Sequence, residues 1–151
     1  MAPRFVADVM LGKLARWLRI LGYDTLYDRQ ASDRQLMELA AREDRILLTS
    51  DRELLRRSKA QKFFILADRW QDQLKEVTAK FGFQQDSLFT RCVECNSRLE
   101  CMNKEQVKNK VPAYVYKTQT EFVRCPLCQK IYWAGSHWRG AMAELQRLLK
   151  G

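Results

Sequence analysis

The sequence has very little histidine. Among 151 residues there is one, His137. Ser-His-Asp and Cys-His devices need an imidazole beside the nucleophile, so a single histidine late in the chain gives them little to work with. Glycine-rich phosphate loops are missing too. Neither a GxGxxG nor a GxxxxGK[ST] pattern occurs, which removes the familiar nucleotide-cradling motifs. No apolar run approaches the roughly 20 residues of a membrane helix. The opening MAPRFVAD lacks the apolar stretch of a signal peptide. The expected compartment is therefore the cytoplasm, with no membrane partner. Five cysteines, an odd number, without a secretion signal argue against a disulfide scaffold.

Positive charge is abundant. The formal net charge is +9, which points to a polyanionic partner such as nucleic acid, a solvated basic surface being the alternative. The charge is uneven. Residues 1–90 hold 16 Lys and Arg against 13 Asp and Glu, net +3, and residues 91–151 hold 11 against 5, net +6. That shift and a change in composition near Arg91 divide the chain into an α/β domain, residues 1–90, and a smaller segment, residues 91–151.

The first domain is organised around residues 4–24. The apolar run Phe5-Val6-Ala7 ends on one acid, Asp8. Met10, Leu11, Leu14, Ala15, Leu18 and Leu21 then recur at helical spacing, and Gly22 stands where a helix takes a left-handed C′ residue. This predicts a buried strand, an acid at its carboxyl end, and a helix packed back over it. Tyr23 to Tyr27 reads as a second strand. Ser32 with Gln35 forms a capping box for a second helix. The residues Arg45 to Thr49 read as a third strand, residues 51–58 as a short basic helix, and Lys62 to Leu66 as a fourth strand. Trp70 to Phe81 is amphipathic and stops at Gly82. Strands alternating with helices predict a parallel sheet covered on both faces, a three-layer α/β/α domain.

Ligands bind at the carboxyl ends of strands in such sheets. Asp8 follows the first strand, Asp51 follows the third, and Asp33 opens the helix after the second. Three acids at one edge form a candidate site for Mg²⁺ or Mn²⁺, which prefer oxygen ligands. A metal-activated water could then attack a phosphodiester. The alternative at each position is plain helix capping. Lys13, Arg16 and Arg19, spaced by three on the first helix, form a basic stripe able to touch phosphates, or a solvated face.

In the second segment, Cys92-x2-Cys95 and Cys125-x2-Cys128 are two thiol pairs separated by 29 residues. Two CxxC knuckles in a reducing compartment point to one structural Zn²⁺ in a zinc ribbon. Redox use of a CxxC pair is the alternative, but neither pair opens a helix after a strand. Cys101 lies outside the pattern. Tyr114, Tyr116, Tyr132 and Trp133 could stack on unpaired bases, with Tyr132 and Trp133 on the expected hairpin around the second knuckle. Residues 136–150 read as a closing helix with His137 and Trp138, as packing residues, at its start.

The runs ADVMLGKLARWLRILGYDTLYD, SDRQLMELAAREDRILLTSD, RCVECN, VPAYVYKTQTEFVRCPLC and KIYWAGSHW together resemble the Mut-seven C-terminal RNase family, PIN-like domains with a zinc ribbon attached. The resemblance covers nearly the whole chain. It implies a PIN-like fold and a metal-dependent ribonuclease acting on RNA, single-stranded ahead of duplex. Carried over by position, the family's acidic site falls on Asp8, Asp33 and Asp51. A fourth acid, frequent in PIN-like nucleases, could come from Glu53, Asp68 or Asp28. The rival reading is a non-catalytic RNA- or ribosome-associated binding module, or a toxin-like partner-binding protein.

Overall fold

The computed structural model describes residues 2–149 as two compact units, residues 1–96 and 97–151. The first holds a parallel four-stranded sheet. Its strands are β1 (Phe5–Ala7), β2 (Thr25–Leu26), β3 (Ile46–Thr49) and β4 (Lys62–Phe64), in the order β2-β1-β3-β4. Phe5 lies opposite both Thr25 and Ile46, and Leu47 opposite Lys62. The helices are α1 (Gly12–Ile20), α2 (Asp33–Arg42), α3 (Arg52–Arg57) and α4 (Trp70–Phe81).

Alternation along the strands sorts the core onto two faces. Val6 and Leu47 pack with Leu36 and Ala40 of α2 and Leu54 of α3. Phe5 turns the other way, where Phe81 of α4 meets it edge-on at 5.2 Å and also meets Phe63 at 5.5 Å. Helices α1 and α4 pack together on that face, with Leu14, Leu18, Leu74 and Val77 buried. Three layers result, as the alternating pattern predicts.

The local signals act where expected. Ser32 accepts from the Gln35 amide and Gln35 returns a bond to the Ser32 amide, closing the capping box of α2. Gly22 adopts φ +96° after α1. One expectation changes. The apolar run after Asp8 begins as a 3-10 turn, Val9–Leu11, before α1 takes over. The change of helical pitch removes Met10 from the shared apolar face, and its side chain is 79% exposed.

The second unit is built on an antiparallel sheet of β5 (Glu100–Met102), β6 (Phe122–Arg124) and β7 (Ile131–Tyr132) in that order. A 3-10 turn at Lys104–Val107 and helix α5 (Ala113–Thr118) fill the long spacer. Met102, Val107, Val115 and Phe122 form its core. Helix α6 (Ser136–Leu149) closes the described chain, with Leu145 and Leu148 buried. None of the described helices is long and apolar enough to cross a membrane.

Candidate active site and metal centre

The carboxyl ends of β1 and β3 are adjacent because the strands pair in parallel, Ala7 against Leu48. Asp8 is therefore fixed at the edge. Its amide donates to the Leu48 carbonyl at 2.9 Å, and its side chain is buried, 4% exposed. One carboxylate oxygen accepts from the Val9 amide at 2.6 Å. The other accepts from the Thr49 hydroxyl at 2.9 Å. Thr49 Oγ1 in turn accepts from the Asp51 amide at 2.9 Å. One hydroxyl thus links the two acids that follow β1 and β3.

Asp51 is exposed and caps α3, its Oδ1 accepting from the Glu53 and Leu54 amides. Asp33 is the first residue of α2, and its carboxylate lies 3.8 Å from the Arg57 guanidinium. Each of the three acids thus has a structural partner within the fold. Among the described residues, the group of three or more Cys, His, Asp or Glu side chains gathered tightly enough to share one ion is the cysteine set, and the three aspartates do not form one. Of the other acids, Asp28 accepts from the Gln30 amide and Glu53 pairs with Arg56. Asp68 borders a cleft beside Lys13.

Two residues that the sequence pattern did not single out position this edge. Thr49 is one. The hint was a hydroxyl residue ending an apolar strand two places before an acid. Tyr27 is the other, and no motif marks it. Its hydroxyl donates to the Val9 carbonyl at 2.6 Å and so pins the turn that Asp8 caps. Gly12 makes room, since a Cβ there would lie 2.9 Å from the Tyr27 oxygen.

The basic stripe is not uniform. Lys13 is exposed. Arg16 pairs with Glu94 at 3.1 Å, both half in solvent. Arg19 is 7% exposed. Its guanidinium donates to the carbonyls of Thr25, Val93 and Glu94. Burial lowers its pKa from the ordinary arginine value, against the opposing pull of Cys92, Cys95 and Glu94. Arg19 therefore leaves the stripe. It satisfies backbone carbonyls of the first knuckle inside the first unit.

That knuckle is seated at the amino edge of the sheet. Asn96 takes a left-handed φ of 68° just after Cys95. Its side chain accepts from the Thr25 amide at 2.9 Å and donates to Asp24 at 2.7 Å. Asp24 also holds the buried Arg45 at 2.8 Å. Burial pushes the Asp24 carboxyl up, but Arg45 and Asn96 outweigh it and hold it below the usual carboxylate range.

The two knuckles share one local geometry. Cys95 N–H points at Cys92 Sγ at 3.4 Å, and Cys128 N–H at Cys125 Sγ at 3.4 Å. Asn96 donates to the Cys92 carbonyl and Gln129 to the Cys125 carbonyl, and both take φ near +68°. Burial pushes the Cys125 thiol up, yet bonds from the Cys128 amide, the Ser97 hydroxyl and the Leu127 amide pull it down to about 6. The ligand atoms of Cys92, Cys95, Cys125 and Cys128 all lie within 4.8 Å of one another. Four thiols at that spacing fit a tetrahedral ion with metal–sulfur bonds of about 2.3 Å, so this group can hold a metal such as zinc.

On the second unit, Lys130 sits over the Tyr132 ring at 5.2 Å. Trp133 packs against the unit's core and meets Phe122 at 6.4 Å.

A parallel α/β sheet covered by helices, followed by a four-cysteine cluster, defines an α/β protein with a ribbon-like appendage. The chain belongs to the Mut7-C RNAse domain family, whose model matches residues 3–145. Neither the comparison with curated proteins nor that with solved structures gave a match.

Proposed function

We propose that the chain is a divalent-metal-dependent ribonuclease whose reaction centre is the carboxyl edge of the four-stranded sheet. Asp8 and Asp51 would hold Mg²⁺ or Mn²⁺, and Asp33 would complete the set. The observation that carries this reading is the Thr49 hydroxyl, bonded to Asp8 and to the amide of Asp51. It ties the Asp8 carboxylate to the backbone of Asp51, so the two acids that follow neighbouring strands start from one place. The donors suit hard cations. When bound, such an ion supplies an acidified water and charge compensation for a phosphodiester. The protein's own part is electrostatic and positional. Asp8, buried and doubly hydrogen-bonded, is a rigid anion. Asp51 is exposed and turns from the α3 amides to the ion, and Asp33 gives up Arg57 to join them. Lys13 and Arg16 draw the polyanion toward the edge. The four cysteines hold Zn²⁺ as a structural ion, and the ribbon supports folding or RNA contact.

The rival reading, a non-catalytic RNA-binding module, draws on one observation. Each acid already has a partner within the fold: Asp8 and Asp51 cap turns and Asp33 pairs with Arg57. Isosteric substitution separates the two. Asp8→Asn, Asp33→Asn and Asp51→Asn each keep shape and remove charge. Even outer-shell changes at metal sites cost about 10–100-fold, so each variant should lose at least that much Mn²⁺-dependent cleavage of labelled single-stranded RNA. Asn caps nearly as well as Asp, so undiminished cleavage in all three variants would put the reaction centre elsewhere, and a wild-type chain that binds the RNA in EDTA but cleaves none with Mn²⁺ would support the binding module.

A further inference from the structure

The same edge of the sheet carries a second feature, a cleft of about 440 Å³ lined by Met10, Lys13, Asp68, Arg69, Trp70 and Gln73. It lies between the turn that follows β1 and the segment that leads from β4 into α4. Its volume falls within the range of small-ligand sites. Met10 is the second residue after Asp8, so at most about 7 Å of chain separates their Cα atoms.

Three properties of this cleft point to one occupant. The first is apolar surface held in solvent by design of the backbone. Met10 is 79% exposed, yet the turn that carries it is fixed on both sides, by the Asp8 cap and by the Tyr27 hydroxyl. The second is a fixed aromatic face. Trp70 stacks on Trp17 at 4.6 Å with 6° between the rings. The stack holds the Trp70 plane, and a platform that does not have to be ordered on binding loses less entropy. The third is charge. Lys13 and Arg69 supply two cations. Arg69 has a solvent-exposed pair with Asp72 at 3.5 Å, which contributes little and is readily exchanged. Buried Gln73 donates to the carbonyls of Ala67 and Asp68 and so fixes the loop that presents Asp68 and Arg69.

We propose that this cleft is a nucleotide subsite, which takes one unpaired base of single-stranded RNA next to the phosphodiester that a divalent ion held by Asp8 and Asp51 would engage. The choice of RNA as occupant rests on the ribonuclease reading. The base stacks on Trp70 and lies against Met10. The flanking phosphate meets Lys13 and Arg69. Asp68 repels phosphate and accepts from exocyclic base amines, so it stands at the base end of the nucleotide. A duplex keeps its bases paired and cannot offer one to Trp70, so the subsite favours single strands.

The test uses the full zinc-loaded chain and a fluorescently labelled single-stranded RNA oligomer. Binding is read by anisotropy without added Mg²⁺ or Mn²⁺, and cleavage by gel with Mn²⁺. Met10→Asp and Lys13→Ala alter exposed side chains, so the fold should persist, and circular dichroism checks it. Trp70→Ala is the third variant. Loss of base stacking weakens single-strand binding by at least about five-fold, so Trp70→Ala should do so, and Met10→Asp should weaken it too by removing the apolar contact and adding a negative charge beside the base. Lys13→Ala should reduce the salt slope of log affinity by about one. Cleavage should respond through KM more than through kcat. Folded Met10→Asp and Lys13→Ala with wild-type affinity, salt slope and KM would overturn the subsite while leaving the nuclease reading intact. A wild-type chain that binds RNA with these same dependences but cleaves nothing would keep the subsite and remove the nuclease.

Discussion

Tyr23 shows what one buried atom does to the pH behaviour of this fold. Its ring meets Phe5 edge-on at 5.2 Å, and its hydroxyl is buried without a hydrogen-bond partner among the described residues. Burial raises its pKa from 10 to about 12. The unfolded chain therefore ionises Tyr23 near pH 10 while the folded chain holds the proton. The stability linked to this group is fully present below pH 10 and is lost as pH rises through 12. Two units correspond to about 2–3 kcal/mol. Tyr23→Phe removes both the ionisation and the unpaired hydroxyl. The variant should match or exceed wild type at pH 8, by up to about 1 kcal/mol. Its advantage should grow between pH 10 and 12. Urea titrations at pH 8 and 11.5 measure this, and an advantage that does not change with pH would show that the Tyr23 hydroxyl ionises as freely in the folded chain as in the unfolded one. The residue scale is also where sequence reading fell short. Arg19 sits on the charged side of a regular i, i+3 pattern with Lys13 and Arg16, and nothing local distinguishes it from them. Its burial depends on carbonyls of Val93 and Glu94, more than 70 positions away. Tyr27 was invisible for the same reason, because its hydroxyl acts on a carbonyl 18 positions away, and Thr49 left only the hint of its place before an acid.

At the scale of elements, helix ends were the most legible features, because caps are local. The Ser32–Gln35 box and the stop at Gly22 could be read within four residues. The start of α1 could not. A 3-10 turn and an α-helix present the same apolar residues in sequence, and only the Asp8 cap and the Tyr27 hydroxyl decide between them. In the second unit, β5 and α5 also escaped notice. Three residues of β5 become a strand by pairing with β6, and α5 follows a proline in a run rich in tyrosine and valine that reads equally well as strand. Gly22 gives the clearest test at this scale. At φ +96° a side chain is strained, and a Cβ would also run into the Ser87 backbone carbonyl. Left-handed backbone alone costs about 1–2 kcal/mol for a residue with Cβ, and the contact with Ser87 adds to it. Gly22→Ala should therefore destabilise by more than about 2 kcal/mol and lower the melting temperature, without changing what metal the chain binds. A melting curve unchanged from wild type would mean that the turn after α1 relaxes freely.

At the scale of the whole molecule, the four cysteines are the feature most fully foreseen, since each CxxC pair is a local unit and the chemistry of four thiols is narrow. Two units of unequal size bear on how much the metal matters. Residues 1–96 have a two-faced core with buried leucine or phenylalanine from β1, β3 and each of the four α-helices. The second unit has a small core cluster of Met102, Val107, Val115 and Phe122 and two- to three-residue strands. A module that small folds poorly on apolar burial alone. Structural zinc contributes roughly 10–16 kcal/mol of apparent binding free energy in small peptides, which is larger than the stability of most domains. Metal analysis of the purified chain should therefore find one zinc per chain. Cys125→Ser should lose it and, with it, the fold of the second unit. The first unit should melt as before, because the Cys125 knuckle supplies none of the side chains around Leu36, Leu47 and Leu54. Cys92→Ser should also lose the zinc, but with an added cost, since the Cys92 knuckle carries the carbonyls and the Asn96 amide that bind Arg19, Thr25 and Asp24. Calorimetry should therefore show one missing transition in Cys125→Ser and, in Cys92→Ser, the same loss plus a lowered transition for the first unit. Full zinc in either variant would rule out the four-cysteine site. Equal first-unit transitions in the two variants would mean that the Cys92 side chain adds nothing to the first unit beyond its share of the metal.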